Sequence, residues 1–145
     1  MNLSEHFTLA EGVFSSTALR FGIDNTPNTV NTMRMQAAAK ALEAVRELLG
    51  APMHVDSWYR CEALNKAVGG SLTSAHMEGY AIDFICPAFG TPLEIVRAIV
   101  DSGIKFDQCI QEGRWVHISF DPRTRMRVLT AHFDASGKAT YTQGA

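Results

Sequence analysis

The sequence predicts an α+β fold: a small antiparallel sheet packed by helices on one side, with a candidate metal site on the sheet. Three observations carry this. Apolar residues recur at helical steps through the stretch from Thr29 to Leu49. Strand-like runs crowd into the second half, two of them joined by a short turn. Finally, His76, Asp83 and His117 put polar, metal-ligating groups in or beside apolar runs, where a polar group needs a reason.

Thr8 followed by Glu11 has the spacing of a capping box, which predicts a short helix there. Arg20 to Thr32 contains Gly22, Asp24, Asn25, Pro27, Asn28 and Asn31 and reads as a loop ordered by packing on the rest of the chain. From Thr29 to Leu49, Val30, Met33, Ala37, Ala41, Val45 and Leu48 mark one apolar stripe around an alanine-rich centre. Met33 and Met35 are expected to fill core. Gly50 and Pro52 stop this helix.

Met53 to Tyr59 reads as a strand, and Glu62 to Val68 as a helical turn or two closed by Gly69-Gly70. Tyr80 to Cys86 is a buried strand stopped by Pro87. Thr91-Pro92-Leu93-Glu94 opens a helix with an N-cap, a first-turn proline and a capping glutamate; Ile95, Ile99 and Val100 should face inward, and Gly103 ends it. Phe106–Gln111 and Trp115–Phe120 are strand-like, with Glu112-Gly113 as the hairpin turn between them. Arg127 to Phe133 is a last strand, Asp134 to Gly137 a turn, and the tail to Ala145 is expected to be loosely held.

At 145 residues, with no repeat or low-complexity tract, residues 1–145 are expected to form one domain. A net charge of -2 gives no electrostatic reason to expect nucleic acid or an anionic membrane as partner. No stretch approaches the roughly 20 apolar residues that span a bilayer, so no membrane insertion is expected. The first residues lack the basic start and apolar core of a signal peptide, so synthesis in the cytoplasm is expected. Cys61, Cys86 and Cys109 form no Cys-x-x-Cys pair and read as reduced, buried small residues.

His76 offers an imidazole nitrogen and Asp83 a carboxylate oxygen, both donors that zinc accepts. Their separation is too long for adjacent helical turns and suits a turn leading into a strand. A buried aspartate in Ala-Ile-Asp-Phe-Ile costs several kcal/mol unless paired or metal-bound. His117, in Trp-Val-His-Ile-Ser, is the best third ligand for a single catalytic metal ion. His6, His54 and His132 read as surface or packing residues.

These residues carry a resemblance. Ser-Trp-Tyr-Arg-Cys-Glu-Ala-Leu-Asn, Val-Gly-Gly, Ser-Ala-His-Met-Glu-Gly-Tyr-Ala-Ile-Asp, Phe-Asp-Gln-Cys-Ile and Trp-Val-His-Ile-Ser together resemble the M15 family of zinc peptidases. Within it they resemble the D-Ala-D-Ala carboxypeptidase-like proteins of phages and prophages. The matching core runs from about Val55 to Phe120. The resemblance implies a hedgehog/D-Ala-D-Ala peptidase-like fold, with zinc held by His76, Asp83 and His117 and a fourth position left to water. It implies that Arg60 stabilises charge on the scissile carbonyl oxygen and that Ser74 holds substrate or a ligand. For these two the bland alternatives are a structural salt bridge and a turn cap.

The sequence departs from the family at the general base. Members often carry an acidic residue three positions before the last histidine; here that position is Arg114, which accepts no proton. Glu112, in the turn, takes the role in this reading, with Asp107 as fallback and an exposed turn residue as the bland alternative. Trp58 and Trp115 should flank the metal pocket, and Trp115 and Tyr80 could wall a groove. The implied function is a zinc-dependent hydrolase of peptidoglycan stem peptides, a monomeric phage or prophage endolysin acting on the cell wall after release. Carboxypeptidase and endopeptidase action both stay open. The alternative is a non-catalytic, zinc-containing cell-wall-binding or phage-particle module.

Overall fold

A computed structural model describes residues 1–145. Its elements run in the order α1 (Leu9–Val13), α2 (Ser16–Phe21), α3 (Thr29–Leu49), β1 (His54–Ser57), α4 (Glu62–Ala67), β2 (Ala81–Ile85), α5 (Pro92–Ser102), β3 (Gln108–Gln111), β4 (Val116–Ser119), β5 (Arg127–Phe133) and β6 (Ala139–Gln143), with a 3-10 turn at Ala75–Glu78 before β2. The strands form one sheet in the order β1-β2-β4-β3-β5-β6. The architecture is α+β, but the sheet is mixed rather than antiparallel throughout: β3 and β5 run parallel, and all other neighbours are antiparallel. The segment after β4 crosses β3 before pairing, an arrangement that strand-like composition alone cannot specify.

The caps follow the local sequence. Thr8 and Glu11 form a capping box on α1, Thr91 and Glu94 form another on α5, and Gly50 and Gly103 close α3 and α5 in left-handed conformation. Two segments depart from expectation. Ser16–Phe21 is helical, capped by Ser15. The tail is a paired strand, β6, covering the edge that β5 would otherwise expose.

The buried stripe of α3 is Met35, Ala38, Ala39, Leu42, Val45 and Leu49. Val30, Met33 and Leu48 face solvent, at 53%, 63% and 38% exposure, so Met33 fills no core. Apolar residues surround much of this helix, and packing on the sheet selects which side is buried. On α5, Ile95, Val96 and Ile99 face inward, whereas Val100 is largely exposed.

Alternation along the strands separates two faces. Ile82, Ile118 and Cys109, in register across β2, β4 and β3, meet α3 and α5 in a core of 20 buried residues. Each fully buried Leu, Ile or Phe there contributes about 1.5–3 kcal/mol. The opposite face presents a different row: Ser57, Asp83, His117, Ile110 and Leu129. The helices therefore anchor the sheet from behind and leave its polar row open in front. Cys86 and Cys109 are buried free thiols, and Cys61 caps α4. No helix is long and apolar enough to cross a membrane.

Candidate metal centre

Asp83 and His117 stand directly opposite each other on β2 and β4, so antiparallel register alone brings together residues 34 apart in sequence. A break in register between Val55 and Ser57 sets Ser57 beside Asp83 at the edge of this row. His76 arrives on the 3-10 turn, whose N-cap is Ser74. Gly79 ends the turn at φ 87, and a Cβ there would lie 2.8 Å from Met35 Cγ and 3.0 Å from the Asn31 carbonyl oxygen. Only glycine meets both the backbone angle and the close approach to α3. The carbonyl of Gly79 accepts a 2.9 Å hydrogen bond from the buried Trp58 indole.

His76 Nε2 lies 3.2 Å from one Asp83 oxygen and His117 Nδ1 2.9 Å from the other. Donor atoms of all three residues lie within 4.8 Å of one another. The two imidazole rings meet edge to face at 5.2 Å. His76 Nδ1 lies 2.7 Å from the Trp58 carbonyl oxygen, which can only accept, so that nitrogen carries the hydrogen. Burial pulls the His76 pKa down against the attraction of Asp83, favouring the neutral ring. Burial opposes ionisation of Asp83 as well, but His76 and His117 more than offset it and hold the carboxyl well below the ordinary range.

With Nδ1 donating to the Trp58 carbonyl, a neutral His76 turns its Nε2 lone pair toward the Asp83 carboxylate 3.2 Å away, acceptor against acceptor. A proton or a divalent cation between them resolves that opposition. Two nitrogens and one carboxylate oxygen suit zinc, and three protein ligands with one open position is its catalytic arrangement. The Trp58 carbonyl supplies the outer-shell contact that orients a ligating histidine.

The ligands line a groove of about 800 Å³ shared with Arg60, Ser74, Glu112, Trp115 and Tyr141. Arg60 Nη2 donates to Ser74 Oγ at 3.3 Å, while its buried Nε has no partner in the protein. Burial lowers the Arg60 pKa and Asp83 raises it; no carboxylate pairs with it directly. Ser74 does two things at once, accepting from His76 N–H as the turn cap and from Arg60. The segment around Arg60 is pinned by buried Asn25, whose Nδ2 donates to the carbonyls of Val13 and Tyr59 and whose Oδ1 accepts from Cys61 N–H. That loop residue is what the polar composition of Arg20 to Thr32 conceals.

Glu112 belongs to the site side of the sheet. The tight turn to Trp115, closed by the Glu112 N–H to Trp115 carbonyl bond at 3.0 Å with Gly113 at φ 86, continues the β3 alternation from Ile110. Burial lifts the Glu112 pKa, with His117 lowering and Asp83 raising it. Tyr141 on β6 donates to its carboxylate at 3.4 Å. Arg114 is exposed in the same turn.

Asp107 is unsuited to the role of fallback base. Its carboxylate accepts from Arg125 Nε and Nη2, both at 2.8 Å, and that interaction holds its pKa low. Trp58 is core and Trp115 lines the groove, but Tyr80 lies under Arg34 instead of in the groove wall. His6, His54 and His132 are exposed, and Glu43 and Thr142 partner the first and last of them. Two contributors escape sequence reasoning. The Trp58 carbonyl acts through backbone, which no side-chain pattern reveals. Tyr141 sits in a tail whose alternating Thr-Tyr-Thr was its one strand signal.

Residues 5–119 match the family model for Peptidase M15. No curated protein matches the chain.

Proposed function

We propose that this chain, which belongs to the peptidase M15 family, is a zinc metallopeptidase that hydrolyses peptide bonds in peptidoglycan stem peptides. Peptidases of this family are zinc-dependent, and the His76–Asp83–His117 cluster carries the reading: three donors converge around a lone pair and a carboxylate that only a cation or proton reconciles. The stem-peptide substrate, the phage or prophage endolysin role and action on the cell wall after release rest on the motif resemblance. So does the expectation of a monomer.

In this mechanism His76, Asp83 and His117 are the ligands. A zinc ion held there would polarise the scissile carbonyl and bring the acidity of water toward neutral pH. Glu112 takes the proton of the attacking water and passes it to the leaving nitrogen. Its partly buried position and raised pKa keep it basic enough to hold that proton in transit. Arg60, which lines the groove, offers its guanidinium to the oxygen where charge develops. Ser74 orients Arg60, and the Trp58 carbonyl keeps His76 in the tautomer that presents Nε2.

The test is digestion of purified peptidoglycan with zinc-loaded protein, with chelator, and with Glu112→Gln, followed by analysis of the released peptides. Metal-dependent cleavage that falls about 10²–10⁴-fold in Glu112→Gln, with zinc still bound, supports enzyme and base together. Cleavage undiminished in the variant removes Glu112 from the mechanism. Absence of cleavage by the zinc-loaded chain favours a binding module, the reading that Arg114 at the family's acidic position suggests.

A further inference from the structure

Residues after Ser119 lie beyond the stretch that matches the family, yet they build one wall of the groove. Arg123, Arg125 and Arg127 all line it. Asp107, with a side chain only 2% exposed, organises them: it binds Arg125 through two guanidinium nitrogens and accepts from the Arg125 backbone N–H at 3.0 Å, and its own carbonyl accepts from Arg127 N–H at 2.9 Å. Arg123 is paired with Asp121 at 3.1 Å. Two of the three cations are thus neutralised within the chain. The Arg127 guanidinium makes no ion pair or side-chain hydrogen bond, although β5 holds its backbone in register with Gln108.

With these pairs set aside, Arg60 and Arg127 are the unneutralised cations of the groove, in a chain whose formal net charge is -2. Arg60, Arg123, Arg125 and Arg127 line it against Asp83, Asp107 and Glu112. The charge is also polarised along the groove. Glu112 and Tyr141 lie on one side of the row containing Ile110, His117 and Asp83, and Gln108 with Arg127 lies on the other. From His117 to Arg127 the register crosses two strands and steps back two residues, a Cα separation of about 12 Å. An extended peptide covers that distance in about three to four residues, and the arginine side chain shortens it.

We propose that Arg127 anchors a substrate carboxylate about three residues from the bond cut, which makes the preferred substrate an anionic peptide. The proposal rests on the peptidase reading above for where the bond is cut. The guanidinium fork matches a carboxylate bidentately, and the neighbouring pairs leave Arg127 as the free cation on this wall.

The test uses the full zinc-loaded chain and two synthetic peptides built around the candidate stem-peptide bond. They differ only in having a carboxylate or a carboxamide about three residues away. Both kcat/KM and, by calorimetry, Kd are measured. The carboxylate peptide should be favoured about tenfold or more, the ratio falling toward one in Arg127→Gln, partly restored in Arg127→Lys, and shrinking with added salt. Arg97→Gln, an equal charge change on the exposed surface of α5, should keep the ratio. A wild-type ratio near one, or a ratio retained in Arg127→Gln, overturns the anchor. Cleavage without carboxylate preference removes the anchor and leaves the peptidase. Arg127-dependent binding preference without cleavage of either peptide removes the peptidase and leaves the anchor.

Discussion

Replacing Asp107 with asparagine should destabilise the protein without removing its chemistry, and the size of the effect can be worked from the geometry. The carboxylate is almost fully buried and accepts from Arg125 Nε, Nη2 and backbone N–H at 2.8, 2.8 and 3.0 Å. Asparagine keeps the shape but loses the charge and turns an NH₂ donor toward a guanidinium donor. Two charge-assisted hydrogen bonds at about 1.5–3 kcal/mol each set the upper range. The Arg125 side chain is 30% exposed, so solvent screens the pair, and a loss of about 2–4 kcal/mol is expected. For a chain of this size that is about 6–12 °C in Tm.

The pH dependence fixes the cause. The Arg125 hydrogen bond lowers the pKa of Asp107 in the folded protein, so its contribution is present above the unfolded aspartate value of about 3.9 and is lost as pH falls through the lower folded value. Thermal melts of wild type and Asp107→Asn across that range should therefore differ most near neutrality and converge in acid. A loss under about 2 °C, or a gap that stays constant down to about pH 2, would refute the argument. Peptidase assays on the folded variant add a second check. If Asp107 were the base, turnover would collapse as it should in Glu112→Gln; here it should fall far less.

Three further predictions concern the metal and the base. Adding zinc to chelator-treated protein at about 100 times its Kd should raise stability by about 2.7 kcal/mol, read as a Tm shift of about 8 °C, and His76→Ala, Asp83→Ala and His117→Ala should each remove most of that shift. In the metal-free protein the Glu112 carboxyl should titrate above the ordinary glutamate value of about 4.3, followed by NMR, because burial raises its pKa. Tyr141→Phe deletes a hydrogen bond that lowers that pKa, so the metal-free titration should move to still higher pH; a midpoint that stays fixed or moves down would exclude Tyr141 from positioning Glu112.

Local chemistry was legible along the chain wherever a few adjacent residues decide the outcome. Both capping boxes, the glycine stops of α3 and α5, the Glu112-Gly113 turn and the α+β class follow from short-range rules of hydrogen bonding and backbone angle. The three candidate ligands were legible too, because a carboxylate or imidazole in an apolar run is costly without a partner, and they do converge. Tertiary structure decided whatever depends on competition among distant partners. It selected the face of α3 that is buried, leaving Val30 and Met33 in solvent, and it exposed Val100. It paired β5 parallel to β3 and drew the tail into β6, which brings Tyr141 to Glu112 and Arg127 to the groove. Strand pairing is set by long-range register and by the free energy of covering an edge, and neither is written in the residues of one strand. The residue types along the chain establish which groups can bind a metal. Only the fold decided that Asp107 is clamped by Arg125 while Glu112 stays at the site, and that Arg127 is left unpaired.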